Sequence, residues 1–164
     1  MNSREKDQEK IKKESGFDYL DKPIKLDLDS CLFVTHCCAD KNPLLQKGLA
    51  EQLYIGNRNK TFYNWVKSKK VKYCTFSDKY GLIKPDQIIE TYNVAPTDLS
   101  PSDIEEMRKR VKEQIPEGVK TIVYYGLSPR MTEFYLKMFK DVDLEKIFIT
   151  RFSFIDNFKT KSLF

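Results

Sequence analysis

Four short runs rich in β-branched and aromatic residues, set between segments whose apolar positions recur every three or four residues, define the pattern of this chain. The strand-like runs are Cys31 to Thr35, Val71 to Phe76, Lys120 to Tyr125 and Lys146 to Thr150. Between the first two, Leu44 to Tyr54 reads as a loop or broken helix, and Asn59 to Lys69 as a helix with Phe62, Trp65 and Val66 on its apolar stripe. Pro85 to Tyr92 and Asn93 to Pro96 are too interrupted by proline for one long helix. A clearer helix begins at Pro101, with Ser100 as N-cap, Asp103 at the positive helix end, and Ile104, Met107, Val111 and Ile115 facing inward until Pro116-Glu-Gly118 stops it. Ser128-Pro129 repeats the cap and first turn, followed by a stripe of Met131, Phe134, Met138 and Phe139. Strands alternating with helices predict right-handed βαβ crossovers, hence a single-domain, three-layer α/β/α fold around a mainly parallel sheet of about four strands.

Composition narrows the picture. With 164 residues, 40% hydrophobic and 13% aromatic, the chain buries one substantial core and is short for two. Residues 1 to 24 mix Lys, Glu, Asp and Gln with few apolar anchors and are expected as a charged extension, flexible or helical, ahead of an α/β domain over residues 25 to 164. No apolar run reaches the roughly 18 to 20 residues of a membrane span, and the first residues form no hydrophobic signal region, so a cytoplasmic protein is expected. Cys31, Cys37, Cys38 and Cys74 suit reduced thiols better than bridges.

The net charge of +5 is unevenly spread. From Asn57 to Lys84 there are eight lysines and arginines against Asp78 alone, interleaved with Phe62, Tyr63, Trp65, Tyr73, Phe76 and Tyr80. Arg58, Lys60, Lys67, Lys69 and Lys70 are therefore candidate nucleic-acid contacts, through phosphate pairing and base stacking. The competing reading places Phe62, Trp65 and Val66 in the core and leaves the lysines as a solvated face.

Chemistry gathers where strands end. The first three runs lead directly into His36-Cys-Cys-Ala-Asp-Lys-Asn-Pro43, Ser77-Asp-Lys-Tyr-Gly81 and Gly126-Leu-Ser-Pro-Arg130. In an open parallel sheet ligands bind outside the carboxyl ends of the strands, so these loops should converge on one site. Cys37 is the candidate nucleophile, its thiolate favoured by a following helix start and by Lys41, which alternatively serves as an anion contact, a base or a Schiff-base amine. Small packing cysteines and a solvated lysine are the bland alternative. His36, the only histidine, should face away from Cys37 and act as a hydrogen-bonded structural residue. Consecutive His36, Cys37 and Cys38 do not fit zinc spacing, so neither metal nor other cofactor is expected. Thr35, Tyr54, Ser77, Lys79, Tyr80, Gly126, Ser128 and Arg130 complete the expected binding shell, Gly81 serving its turn and Arg130 offering a fork to phosphate or carboxylate.

These residues also carry a resemblance. Cys37-x3-Lys41, Glu51-Gln-Leu-Tyr54-Ile-Gly56 and Phe76-Ser77-Asp-Lys79-Tyr80-Gly81-Leu82 through Pro85, with Ile88 and Tyr92-Asn93, resemble a small prokaryotic family of unknown function over about residues 31 to 140. That family is in turn similar to YaaA-type stress proteins, and Cys-x3-Lys also resembles the core domain of archaeosine synthase, which attaches lysine to the nitrile of a deazaguanine base in transfer RNA. In that core Pro-Tyr, a serine and a histidine follow, whereas here Asn42-Pro43 follows Lys41 and no later histidine exists. The resemblance implies a nucleobase- or nucleotide-modifying enzyme acting on tRNA, DNA or a free deazaguanine base. The alternative is a non-catalytic nucleotide or nucleic-acid binding module using the same pocket.

Overall fold

Residues 1–92 and 98–156 are described by a computed structural model of the chain. In chain order its elements are α1 (Ser3–Ser15), β1 (Asp18–Tyr19), β2 (Ile24–Lys25), β3 (Cys31–His36), β4 (Lys47–Gly48), α2 (Ala50–Leu53), α3 (Asn57–Lys69), β5 (Lys72–Ser77), β6 (Gly81–Ile83), β7 (Ile89–Glu90), α4 (Pro101–Gln114), β8 (Thr121–Tyr125), α5 (Pro129–Lys137), β9 (Glu145–Ile149) and β10 (Ile155–Asp156). The four expected strands are β3, β5, β8 and β9. They sit inside a six-stranded sheet ordered β1-β9-β8-β3-β5-β6, parallel except for the β5–β6 pair. The expected irregular stretch Asn93 to Pro96 lies outside the described residues.

The strands run almost wholly apolar because both faces are covered. Along β3 the alternation sends Leu32 and Val34 to one face, where α1, α4 and α5 supply Ile11, Met107, Val111 and Leu136. Cys31 and Phe33 go to the other face, against Phe62, Tyr63 and Val66 of α3. A third, smaller cluster of Ala50, Leu53, Tyr54, Ile83 and Ile89 caps the carboxyl end of the sheet around β4 and β7.

Local signals explain the helix ends. Ser100 and Asp103 form a reciprocal capping box, Ser100 Oγ accepting the Asp103 N–H at 3.2 Å and the Asp103 carboxylate accepting the Ser100 N–H at 2.9 Å. At α5 the cap differs from expectation. Ser128 occupies the N-cap position but its side chain makes no capping bond. The inward stripe also differs: Met131 is 78% exposed, and Thr132 and Leu136 point to the core instead. Pro129 fixes the first turn, and the face three residues further on is the one that meets the sheet.

The amino-terminal segment is built into the fold. Helix α1 packs on α5, β1 pairs in parallel with β9, and Phe17 is completely buried between Tyr124 and Phe139. Its charges hide this. Ile11 and Phe17 are single anchors with no helical repeat, so the pattern reads as a tail. No helix among the described residues is long and apolar enough to cross a membrane.

The β8–α5 turn leaves no room at Gly126. A Cβ there would overlap Thr132 Oγ1 and stand 3.0 Å from Thr132 Cγ2. Gly126→Ala should lower stability by about 1–3 kcal/mol, the range for an extra methyl in a filled site. Chemical denaturation would show this, and an unchanged midpoint would mean that the turn repacks freely.

Candidate functional site

The chain steps from β3 through α3 to β5 on one side, then crosses by α4 to β8 on the other side of β3. The order therefore reverses between β3 and β8, and at such a switch point the loops leaving two neighbouring strands diverge and open a crevice. A cleft of about 300 Å³ lies there, lined by His36, Cys37, Cys38, Ala39 and Arg58 on one side and by Leu127, Ser128, Met131, Thr132 and Tyr135 on the other.

His36 and Arg58 form the floor. Arg58 Nη1 donates to His36 Nε2 at 2.7 Å, and Nη2 donates to His36 O at 2.6 Å, Cys37 O at 3.0 Å and Asn59 Oδ1 at 2.9 Å. A guanidinium only donates, so Nε2 accepts and the proton sits on Nδ1, which donates to Tyr124 Oη at 2.9 Å. The imidazole stacks on Tyr135, ring centroids 4.0 Å apart. Burial, and then the Arg58 charge, push its pKa down to about 2. His36 is thus a neutral, hydrogen-bonded positioning residue, and both it and Cys37 line the cleft.

Cys37 sits on a different kind of support. Its N–H donates to Phe76 O at 2.8 Å, continuing the β3–β5 ladder, and its Sγ donates to Asp78 Oδ2 at 3.6 Å. Burial, and then the negative charge of Asp78, push the thiol up to about 11. Asp78 is 4% exposed, and burial raises its carboxyl to about 6 against the opposing effects of the Cys37 hydrogen bond and the Lys41 charge. Among the described residues its Oδ1 is buried without a hydrogen-bond partner. This corrects the expectation of a thiolate favoured by a helix start and Lys41. No helix follows β3 directly, the next being α2 at Ala50, and Lys41 Nζ donates to Tyr92 O at 2.7 Å instead.

Behind Cys37 lies a network of hydroxyls. Ser77 Oγ accepts the N–H groups of Lys79 at 3.1 Å and Tyr80 at 3.2 Å, so its own proton goes to Tyr92 Oη, which also meets Tyr54 Oη at 2.9 Å. Burial raises the pKa of Tyr54 and of Tyr92, which keeps both phenols protonated. Lys41 Nζ stands 4.6 Å and Lys79 Nζ 5.9 Å from the centre of the Tyr92 ring. The loop is clamped from α4: Gln114 Nε2 donates to Tyr80 O, Gln114 Oε1 accepts the Leu82 N–H, and Arg110 donates to Lys79 O. Gly81, at φ +73°, makes the turn that this clamp grips.

The expected shell divides into four parts. Cys37 and Ser128 share the cleft, whereas Lys41, Tyr54, Ser77, Lys79 and Tyr80 gather around Tyr92 on the far side of Cys37. Thr35, fully buried, donates to Tyr125 O at 2.9 Å, and Gly126 is buried in its turn, so both shape the strand ends. Arg130 is exposed on the first turn of α5. The basic stretch is also split. Arg58 belongs to the cleft floor, while Lys67, Lys69 and Lys70 lie towards the other end of α3, about 14–18 Å along the helix. Lys67 pairs with Glu51 at 2.6 Å, and Phe62 and Phe76 are completely buried, so those rings offer no stacking surface. Lys60 is exposed on α3.

Asp78, Tyr92 and Tyr135 had no chemical role in the sequence reading. For Asp78 the signal was available: it directly follows β5, the strand that β3 pairs with. Among the described residues no group of three or more His, Cys, Asp or Glu side chains could hold a metal ion.

A parallel α/β sheet with a ligand-sized crevice at its switch point, floored by a paired His and Arg and edged by a buried thiol, is the class of protein these features define. Within that class the chain belongs to a family of unknown function, DUF6884, whose model matches residues 32–128. The match runs from β3 to the N-cap of α5 and so covers the loops that follow β3, β5 and β8. No curated protein and no solved structure matches the chain.

Proposed function

We propose that the protein is a nucleobase- or nucleotide-modifying enzyme in which the substrate enters the cleft between the β3 and β8 loops and Cys37 attacks it, with Asp78 as general base. The observation that carries this reading is the position of Cys37, which lines the cleft and also donates its thiol proton to a buried carboxylate. A thiol at about 11 does not ionise ahead of attack at neutral pH, whereas a carboxylate at about 6 is charged and ready to accept. The proton passes to Asp78 as sulphur bonds to the electrophilic carbon. On a nitrile, the motif-level expectation, one C–N π bond opens, nitrogen takes the proton that Asp78 accepted and a thioimidate forms. An amine then adds to its carbon, the C–S bond breaks, and Cys37 leaves as the thiol with the amine's proton, giving an amidine. Stacked Tyr135 and His36, together with Leu127 and Met131, suit a flat heterocycle. The raised thiol pKa favours a second reading, a nucleotide-binding module in which Cys37 is not reactive.

Intact-mass spectrometry after incubation with a nitrile-bearing deazaguanine base separates the two readings. One adduct is expected in the wild-type protein and none in Cys37→Ala. Protection of Cys37 from alkylation by bases or nucleotides, without an adduct, would leave the binding module, and neither adduct nor protection would remove both.

A further inference from the structure

We infer that the cleft takes an anionic group, a phosphate or a carboxylate, held between the Arg58 guanidinium and Ser128. The inference rests on the proposed ligand cleft and adds the charge of its occupant. Among the described residues every hydrogen-bond partner of Arg58 is neutral: one imidazole nitrogen, two backbone carbonyls and the Asn59 amide oxygen. None of the ion pairs among the described residues involves Arg58. The imidazole cannot balance the charge, because it is itself neutral. A part-buried cation without a counter-ion loses hydration that neutral acceptors only partly replace, and tying down the end of β3 does not call for a full charge. The cleft is where that charge meets space.

The same cleft holds unused donors. Nη1 carries two hydrogens and spends one on His36, leaving one N–H. Ser128 does not cap α5, so its hydroxyl is free of that duty and the first-turn N–H groups have no side-chain acceptor. Thr132 is committed, its Oγ1 donating to Ser128 O at 2.6 Å. A guanidinium N–H, a serine hydroxyl and uncapped amides around one cavity make a set of donors with no negative partner among the described residues.

Binding titrations followed by protein NMR, with inorganic phosphate, with malonate as the carboxylate probe, and with guanosine against guanosine 5′-monophosphate, test this. The monophosphate should bind at least about tenfold more tightly than the nucleoside, as one charge-assisted contact provides. Removing the Arg58 charge outright risks the fold, since the guanidinium ties two carbonyls. Ser128→Asp avoids that risk, because aspartate is a favoured N-cap that leaves Arg58 in place and fills the anion position with its own carboxylate. It should abolish phosphate binding and cancel the preference for the monophosphate, while an unchanged melting temperature certifies the fold. Stronger binding of malonate than of phosphate would assign the site to carboxylates. Equal binding of nucleoside and monophosphate by the wild-type protein, with neither probe anion bound, overturns the anion site and leaves the proposed function standing if the nucleoside protects Cys37. A preference that persists in Ser128→Asp overturns the site as well, and absence of all binding together with an unprotected Cys37 removes both.

Discussion

At about pH 8, Asp78→Asn should stabilise this protein by up to about 3 kcal/mol, at about 1.4 kcal/mol per pKa unit, and should remove any chemistry at Cys37. Asp78 has its carboxyl raised from 3.8 to about 6, so the folded state holds the proton more tightly than the unfolded one. The stability this brings is fully present below pH 3.8 and is lost as pH rises through about 6, leaving a buried charge with one oxygen unpartnered among the described residues. Asparagine keeps the shape and can still accept the thiol proton as a hydrogen bond, but carries no charge and cannot take the proton away. Urea denaturation near pH 8 and near pH 4 checks this. The gain should vanish at the lower pH, and a variant no more stable than wild type at the higher one would show that Asp78 is not strained by its surroundings. Stability gained where function is lost is the usual signature of a working polar group.

His36→Gln should change the response to acid in the opposite sense. The histidine is held from 6.5 down to about 2, so the unfolded chain takes up its proton first and stability falls as pH drops below 6.5. By about pH 4.5 this amounts to about 3 kcal/mol, two units at 1.4 kcal/mol each. Over nearly the same interval protonation of Asp78 works the other way, so in the wild-type protein the two largely offset each other. Glutamine can still accept from Arg58 but has no proton to gain. It should therefore show rising stability from about pH 6.5 to 4.5 relative to the wild-type protein, whatever it loses by giving up the Tyr135 stack, and Asp78→Asn should show a steep relative loss. Parallel stability–pH curves for wild type and His36→Gln would mean that His36 is protonated equally in both states.

The sheet was legible because its four central strands are long, apolar on both faces and bounded by turn residues, and because Ser100-Pro101 announces a helix with its own chemistry. The edges were not. β1 has two residues and β6 three, too few for an alternation, and the anchors of α1 are dispersed among charges. At the site, of the three loops expected to converge only those after β3 and β8 line the cleft, while Ser77, Lys79 and Tyr80 of the β5 loop gather around Tyr92. What did not follow was pairing at side-chain level. Lys41 lies four residues from Cys37 and serves Tyr92, whereas Asp78, forty-one residues away, accepts the thiol's hydrogen bond. Arg58 read as one charge in a basic run, and only the turn of α3 into the cleft floor separates it from Lys67. Proximity along the chain is a poor guide where three loops meet in space.

The pairings of β1 with β9 and of β2 with β10 set Asp18 beside Ile147 and Ile24 beside Ile155. During synthesis β1 and β2 leave the ribosome long before either partner exists, so α1 and the buried Phe17 that follows it have no docking surface until β8, α5 and β9 have emerged. Such distant pairings are slow to form, because the loop they close must be ordered before any contact rewards it. The matched segment, residues 32–128, lies between these two late seams, so the cleft can assemble from contiguous chain while the flanks that brace it are sewn on last. A nascent chain stalled before Glu145 would present the β8 edge of its sheet uncovered, which makes that edge the place where a chaperone, or a second unfinished copy, would first take hold.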